Sequence, residues 1–165
     1  MKKIFYILVI PAVLILAGCA GSKTSILYSK KPSHPIKVIA FASTSLGENA
    51  KILTDAFKNE LSKHGFDVTH NDELAFATPQ EILELKQDGI DAYVNAKGSW
   101  VWGTTLNSIT VNATSAHTGK KITKINWRNS WGGAPGSPMD NSMRKETKVA
   151  VKEVVKTLVK YLRID

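Results

Sequence analysis

The single cysteine of the chain, Cys19, stands at the end of an apolar run, and that placement constrains everything after it. Lys2 and Lys3 open the sequence. Ile4 to Leu16 is apolar and broken only by Pro11, and the small residues Ala17 and Gly18 follow. A basic start, an apolar stretch and small residues at the end form the layout of a secretory signal. The run is too short to cross a hydrocarbon core of about 30 Å, which takes about 20 residues. The sequence therefore predicts export. An exported domain often uses disulfides, but this chain has no second cysteine to close one inside itself. Its stability must come from packing. Loss of residues 1–18 from the 165 leaves 147, the size of one ordinary domain.

Leu16-Ala17-Gly18-Cys19 resembles the lipobox of bacterial lipoproteins. The resemblance implies a diacylglyceryl group on the Cys19 thiol, cleavage between Gly18 and Cys19, and acylation of the new amino group. Two or more acyl chains give a stable anchor, at about 0.8 kcal/mol per buried CH₂. Apart from this covalent lipid on Cys19, no cofactor is expected. Ala20 stands where inner-membrane lipoproteins often carry Asp, so the resemblance implies the periplasmic face of the outer membrane. The inner membrane, or the outer face of a Gram-positive cell membrane, is the alternative.

The full chain carries a formal charge of +8, and loss of Lys2 and Lys3 leaves +6. A basic exported surface suits anionic lipid or glycan. Nucleic acid is excluded as a partner by the direction of export. Residues 19–35 read as a membrane tether rich in Gly, Ser, Lys and Pro. The domain then runs from 36 to 165. Ile36 to Phe41 reads as a buried strand, with Ser43, Thr44 and Ser45 as helix caps after it. Glu48 to His64 reads as a helix with Ile52, Leu53, Ala56, Phe57 and Leu61 inward. Phe66 to Val68 is a brief strand. Thr78-Pro79-Gln80-Glu81 is a capping box that starts a short helix ending near Gly89. Ala92 to Trp102, Ser108 to Ser115 and Ile122 to Arg128 alternate as three antiparallel strands. A last helix carries the stripe Val151, Val154, Val155, Leu158 and Leu162, with Asp140 or Asn141 as its cap. The fold class is thus α/β (α+β), a mixed sheet of about five strands packed by three helices in the order β-α-β-α-β-β-β-α.

This order, the Lys37-Val38-Ile39-Ala40-Phe41 strand with its long helix, and the Ala116-His117-Thr118-Gly119-Lys120 hairpin together resemble a recurrent envelope domain. It occurs in the N-terminal domain of the Tol-Pal translocation protein, in the curli-secretion lipoprotein, and in the lipoprotein that activates a penicillin-binding protein. The resemblance implies fold more than function.

Catalytic motifs are missing. Gly119-Lys120 lacks the earlier Gly and the following Ser or Thr of a phosphate loop, since Thr114 and Lys121 stand there. His34, His64, His70 and His117 show no metal-ligand spacing, so no metal is expected. There is no Gly-x-Ser-x-Gly elbow. Glu81, Glu84 and Asp88 read as a solvated helix side. The chain is therefore expected not to be an enzyme but a membrane-anchored binding or accessory module. It would be held to the bilayer by its acyl chains and meet an envelope protein partner, or copies of itself. A lipid-tethered glycan- or peptidoglycan-processing hydrolase is the alternative. Contact residues are sought in Trp127 and Trp131 and in the stripe Lys148, Lys152, Lys156 and Lys160, against a simpler reading as core and solvated face.

Overall fold

The computed structural model describes residues 22–45, 47–101, 105–129 and 146–164. The lipobox, Trp102, Trp131, Asp140 and Asn141 lie outside the described residues. The elements are β1 (Ser22–Ser29), β2 (Val38–Ser43), α1 (Glu48–Lys63), β3 (Asp67–His70), a 3₁₀ turn (Asp72–Phe76), α2 (Pro79–Glu84) running into a second 3₁₀ turn (Leu85–Asp88), β4 (Ala92–Val101), β5 (Thr105–Ser115), β6 (Lys121–Asn129) and α3 (Thr147–Leu162). The α+β class and the expected order of elements hold. One strand is added at the front.

That strand corrects the tether. Ser22–Ser29 pairs antiparallel with β6, from Ser22 opposite Asn129 to Ser29 opposite Thr123. Its Ser, Lys and Thr residues offer little to bury, so the sequence pattern does not reveal it. Backbone pairing to β6 holds it, along with Thr123 Oγ1–H donating to the Tyr28 carbonyl at 2.9 Å. The sheet therefore has six strands, in the order β1-β6-β5-β4-β2-β3. β2 lies parallel to both β3 and β4, and the remaining pairs are antiparallel.

Alternation sends every second side chain to one face. On one side, Phe41, Val94, Val111, Ile125 and Trp127 meet Leu53, Phe57 and Leu61 of α1 and the stripe of α3 in one core. Phe41 and Phe57 stack with centroids 5.1 Å apart. On the other side a smaller cluster of Ala40, Ala42, Ile82, Ile90, Tyr93 and Ala116 lies beneath α2 and its flanking turns. That cover runs over β2 and β4 and reaches the end of β5, where Leu83 lies against Gly119. Among the described residues no helix lies over the rest of that side of β5, or over β6 and β1.

The caps follow local chemistry. Thr78 Oγ1 accepts the Glu81 N–H, and Glu81 Oε2 accepts the Thr78 N–H at 2.6 Å, closing the expected box. Gly89 adopts φ 77° and ends the second 3₁₀ turn in the left-handed region, where a side chain would be strained. Two expected caps are corrected. Gly47 occupies the cap position of α1, while Ser45 Oγ accepts the Gly98 N–H at 2.9 Å. Glu146, not Asp140 or Asn141, occupies that of α3, through its backbone carbonyl rather than its side chain. Gly98 has a separate task. The Trp100 indole lies so close over it that an added Cβ would sit 2.1 Å from a ring carbon.

Leu158 is fully buried at the centre of the α3 stripe. Leu158→Ala should cost about 2–5 kcal/mol, read as a lowered urea midpoint at unchanged slope. An unchanged midpoint would show that α3 does not close the core.

Candidate binding surfaces

Trp127 is not a contact residue. Alternation along β6 places it inward with Ile125, it is fully buried, and its Nε1–H donates to Glu153 Oε2 at 2.8 Å. The indole's one polar group is thus satisfied within the fold, as burial requires. Ser22 Oγ–H also donates to Glu153. One carboxylate therefore joins the first residue of β1, the core of β6 and α3. Glu153 stands at the edge of the buried stripe, next to Val154 and three residues on from Ala150, so its carboxylate reaches the interior. Trp100 is half-buried against the main core.

Lys148, Lys152, Lys156 and Lys160 are all exposed on α3. They do not form a uniform cationic surface. Lys148 and Lys152 line a groove of about 1010 Å³ between α1 and α3, and Asp55 and Glu60 line it too. The apolar wall of that groove includes Ile52 and Val149, which are 41% and 45% exposed. Ile52 was expected in the core. It sits one flank away from the row Leu53, Phe57, Leu61 that the sheet covers.

Exposed apolar side chains also lie along the edge strand β1, Ile26 on the side of Ile125 and Tyr28 on the side of Lys124. Ile26, Leu27 and Tyr28 are 44%, 59% and 42% exposed, at a bulge in the pairing with β6. An edge strand with open backbone groups and apolar side chains is a ready site for association.

The histidines meet carboxylates, but in pairs. His70 places Nε2 2.9 Å from Asp72 and Nδ1 3.1 Å from the Phe41 carbonyl, so both nitrogens are occupied. His117 lies 3.1 Å from Asp91, whose other oxygen accepts the N–H groups of Lys37 and Val38. Partial burial pushes the Asp91 carboxyl up. The Val38 and Lys37 N–H groups and the His117 ring outweigh that and hold it below the ordinary aspartate value. His34 stacks on His117 at 4.6 Å, and Ser33 Oγ lies 3.0 Å from His34 Nδ1. The hydroxyl thus touches one imidazole and the carboxylate the other. This does not form a Ser–His–Asp relay, in which a single ring must face both groups. Among the described residues no three His, Cys, Asp or Glu side chains converge as metal ligands.

One surface escaped the sequence reading altogether. It is the open side of β4, β5, β6 and β1, where the polar alternates Asn112, Asn126, Lys124 and Arg128 lie half-buried or exposed. The signal was the complement of the apolar alternation, namely polar residues at every second position with no helix left to cover them.

No protein-family model matches the chain, and no curated protein matches it. Solved structures do. Two structures of the PelC dodecamer from Paraburkholderia phytofirmans superpose with TM-scores of 0.56 and 0.55, at 12% and 11% identity, over 87% and 88% of this chain and all of theirs. Lipoprotein GNA1162 from Neisseria meningitidis gives 0.46 at 16% identity, over 78% of this chain and all of that one. TolB from Acinetobacter baumannii gives 0.39 at 10% identity, over 83% of this chain and 32% of that one. The likeness to PelC shows a shared fold.

Glu153→Ala removes the acceptor of a buried indole N–H and should cost about 1–3 kcal/mol. Glu153→Gln keeps an acceptor oxygen and should recover much of that loss. Urea unfolding followed by tryptophan fluorescence measures both. Equal stability of the Ala variant and wild type would remove Glu153 from this role.

Proposed function

We propose that the chain is a lipid-anchored envelope module that works by non-covalent binding and assembles with copies of itself. The observation that carries the reading is the position of the lipobox relative to the fold. Only Ala20 and Gly21 separate Cys19 from Ser22, the first residue of β1. A lipid on Cys19 would hold the sheet through its edge strand, without the sixteen-residue free linker that the composition suggested. The outer membrane, periplasmic side, is the proposed address, following from Ala20 after the cysteine.

Assembly is supported by two apolar patches of unlike shape. One is the exposed pair Ile26 and Leu27 on β1. The other is the groove holding Ile52 and Val149 between α1 and α3. Contacts between unlike patches are what a closed ring uses, since each subunit presents one to the next. PelC, which shares the fold, is a dodecamer in its solved structures. In this reading the β1 pair of one copy meets the groove of its neighbour. The hydrolase alternative has no comparable support, because the Ser33, His34, His117 and Asp91 contacts are split between two rings.

Metabolic labelling with a palmitate analogue should mark the wild-type protein and not Cys19→Ser. Equal label on both would sink the anchor. Crosslinking in cells should give a ladder of oligomers that Leu27→Asp abolishes while keeping the label. A ladder unchanged by Leu27→Asp would move the contact elsewhere, and the absence of any ladder in wild type would end the assembly reading.

A further inference from the structure

We infer that the open face of the sheet is a binding site for an anionic polysaccharide. This deepens the binding-module reading by giving it a ligand class, and it is independent of anchoring and assembly. The first observation is a charge segregation along the chain. No Asp or Glu precedes Glu48, and none lies between Asp91 and Asp140. Strands β1, β4, β5 and β6 fall wholly within those two acid-free stretches. Their cations are not diluted by any carboxylate of the same strands.

The second observation is how the register gathers those cations. Directly paired residues point to the same side of a sheet. Ser108 pairs Arg128, which pairs Lys23. One step along, Lys97 pairs Thr110, which pairs Asn126, which pairs Ser25. In the next row, Asn112 pairs Lys124, which pairs Tyr28. Lys23, Lys97, Lys124 and Arg128 thus share one face, spaced by the strand separation of about 4.8 Å and steps of about 6.7 Å along each strand. Lys23, Lys97 and Arg128 are exposed and Lys124 is half-exposed. Among the described residues none of the four makes an ion pair. Past Lys124, Lys121 opposite Thr114 continues the face, and Lys30, Lys31, Lys120 and Lys121 then line a cleft of about 270 Å³. The carboxylates on this side, Asp72, Glu73, Glu81, Glu84 and Asp88, sit on α2 and its two flanking turns, beside the cationic strip rather than within it.

The third observation selects the ligand class. Between the cations stand amides and hydroxyls, from Asn112, Asn126, Thr110 and Ser108, together with the exposed ring of Tyr28. Such groups donate to and accept from hydroxylated sugars, while lysines and arginine attract carboxylate, phosphate or sulfate. An anionic bilayer needs cations beside apolar groups that insert. The centre of this face has none. The surface is open and runs along several strands, which suits a chain rather than a single small anion.

The test uses the full-length Cys19→Ser chain, kept in detergent for polygalacturonate as probe and dextran as the neutral polymer, and diluted below the critical micelle concentration for phosphatidylglycerol vesicles as the lipid surface. Using a chain without its lipid, and repeating with Leu27→Asp, keeps the result separate from anchoring and assembly. Polygalacturonate should bind in a salt-sensitive way and dextran should not. The triple change Lys97→Gln, Lys124→Gln, Arg128→Gln should weaken binding by about tenfold or more, with an unchanged melting temperature. The fourfold Lys→Gln change at 148, 152, 156 and 160 removes more charge from α3 and should leave binding near wild type. Equal loss in both variants would mean net charge alone is sensed and would overturn the site. So would full binding by the triple variant, equal binding of dextran, or binding to vesicles only. Should the triple variant melt early, the pair Lys97→Gln and Arg128→Gln, at two exposed positions, decides. It should weaken binding several-fold, and wild-type binding by the folded pair would overturn the site.

Discussion

The packing of α1 and α3 against one side of the sheet is the constraint on which the rest depends. Six strands present two faces, and among the described residues two long helices cover them. Both go to the same side, where Phe41, Val111, Ile125 and Trp127 point. Trp127 is the largest fully buried side chain, and its N–H would be costly there without a partner. Glu153 supplies that partner and, through Ser22, ties in the edge strand. One carboxylate thus lets an aromatic core form under α3 and closes the sheet at β1.

The other side of the sheet inherits what remains. The short α2 covers mainly the β2–β4 half with a small apolar cluster. Over most of the β5–β6–β1 half no helix lies among the described residues, and polar residues at every second position suit that face to water. A protein that needed only stability could fill such a face with mixed charges. This one places cations, amides and hydroxyls there and keeps acids off β1, β4, β5 and β6. That division is a property of the sequence, but its meaning appears only once pairing brings Lys97, Lys124, Arg128 and Lys23 to one side.

Much of the fold was legible in the residues. The Thr78 box, Gly89 after it, the α3 stripe and the three alternating strands are local signals, and local signals survive into the structure. The missed features are non-local. Ser22–Ser29 has no apolar alternation and becomes a strand only because β6 offers a free edge. Trp127 stood open between contact and core because its indole partner, Glu153, lies on a helix 26 residues away. Ile52 kept the right period but fell on the flank that the sheet does not reach. The lysine stripe was visible as a charge pattern, yet the opposing Asp55 and Glu60 become apparent only when α1 is set beside it. Among the surfaces, the exposed helix was the easiest to see, and the open sheet face could not be recognised before the register was known.

The account rests on the open sheet face being the working surface and the helical side being closed core. Lysine acylation footprinting, comparing the protein in its native envelope with the purified chain, tests this most directly. Lys97 and Lys124 should be shielded in the envelope, while Lys156 and Lys160 on α3 react equally in both. Shielding confined to the α3 lysines, or Lys97 and Lys124 equally reactive in both settings, would contradict the account.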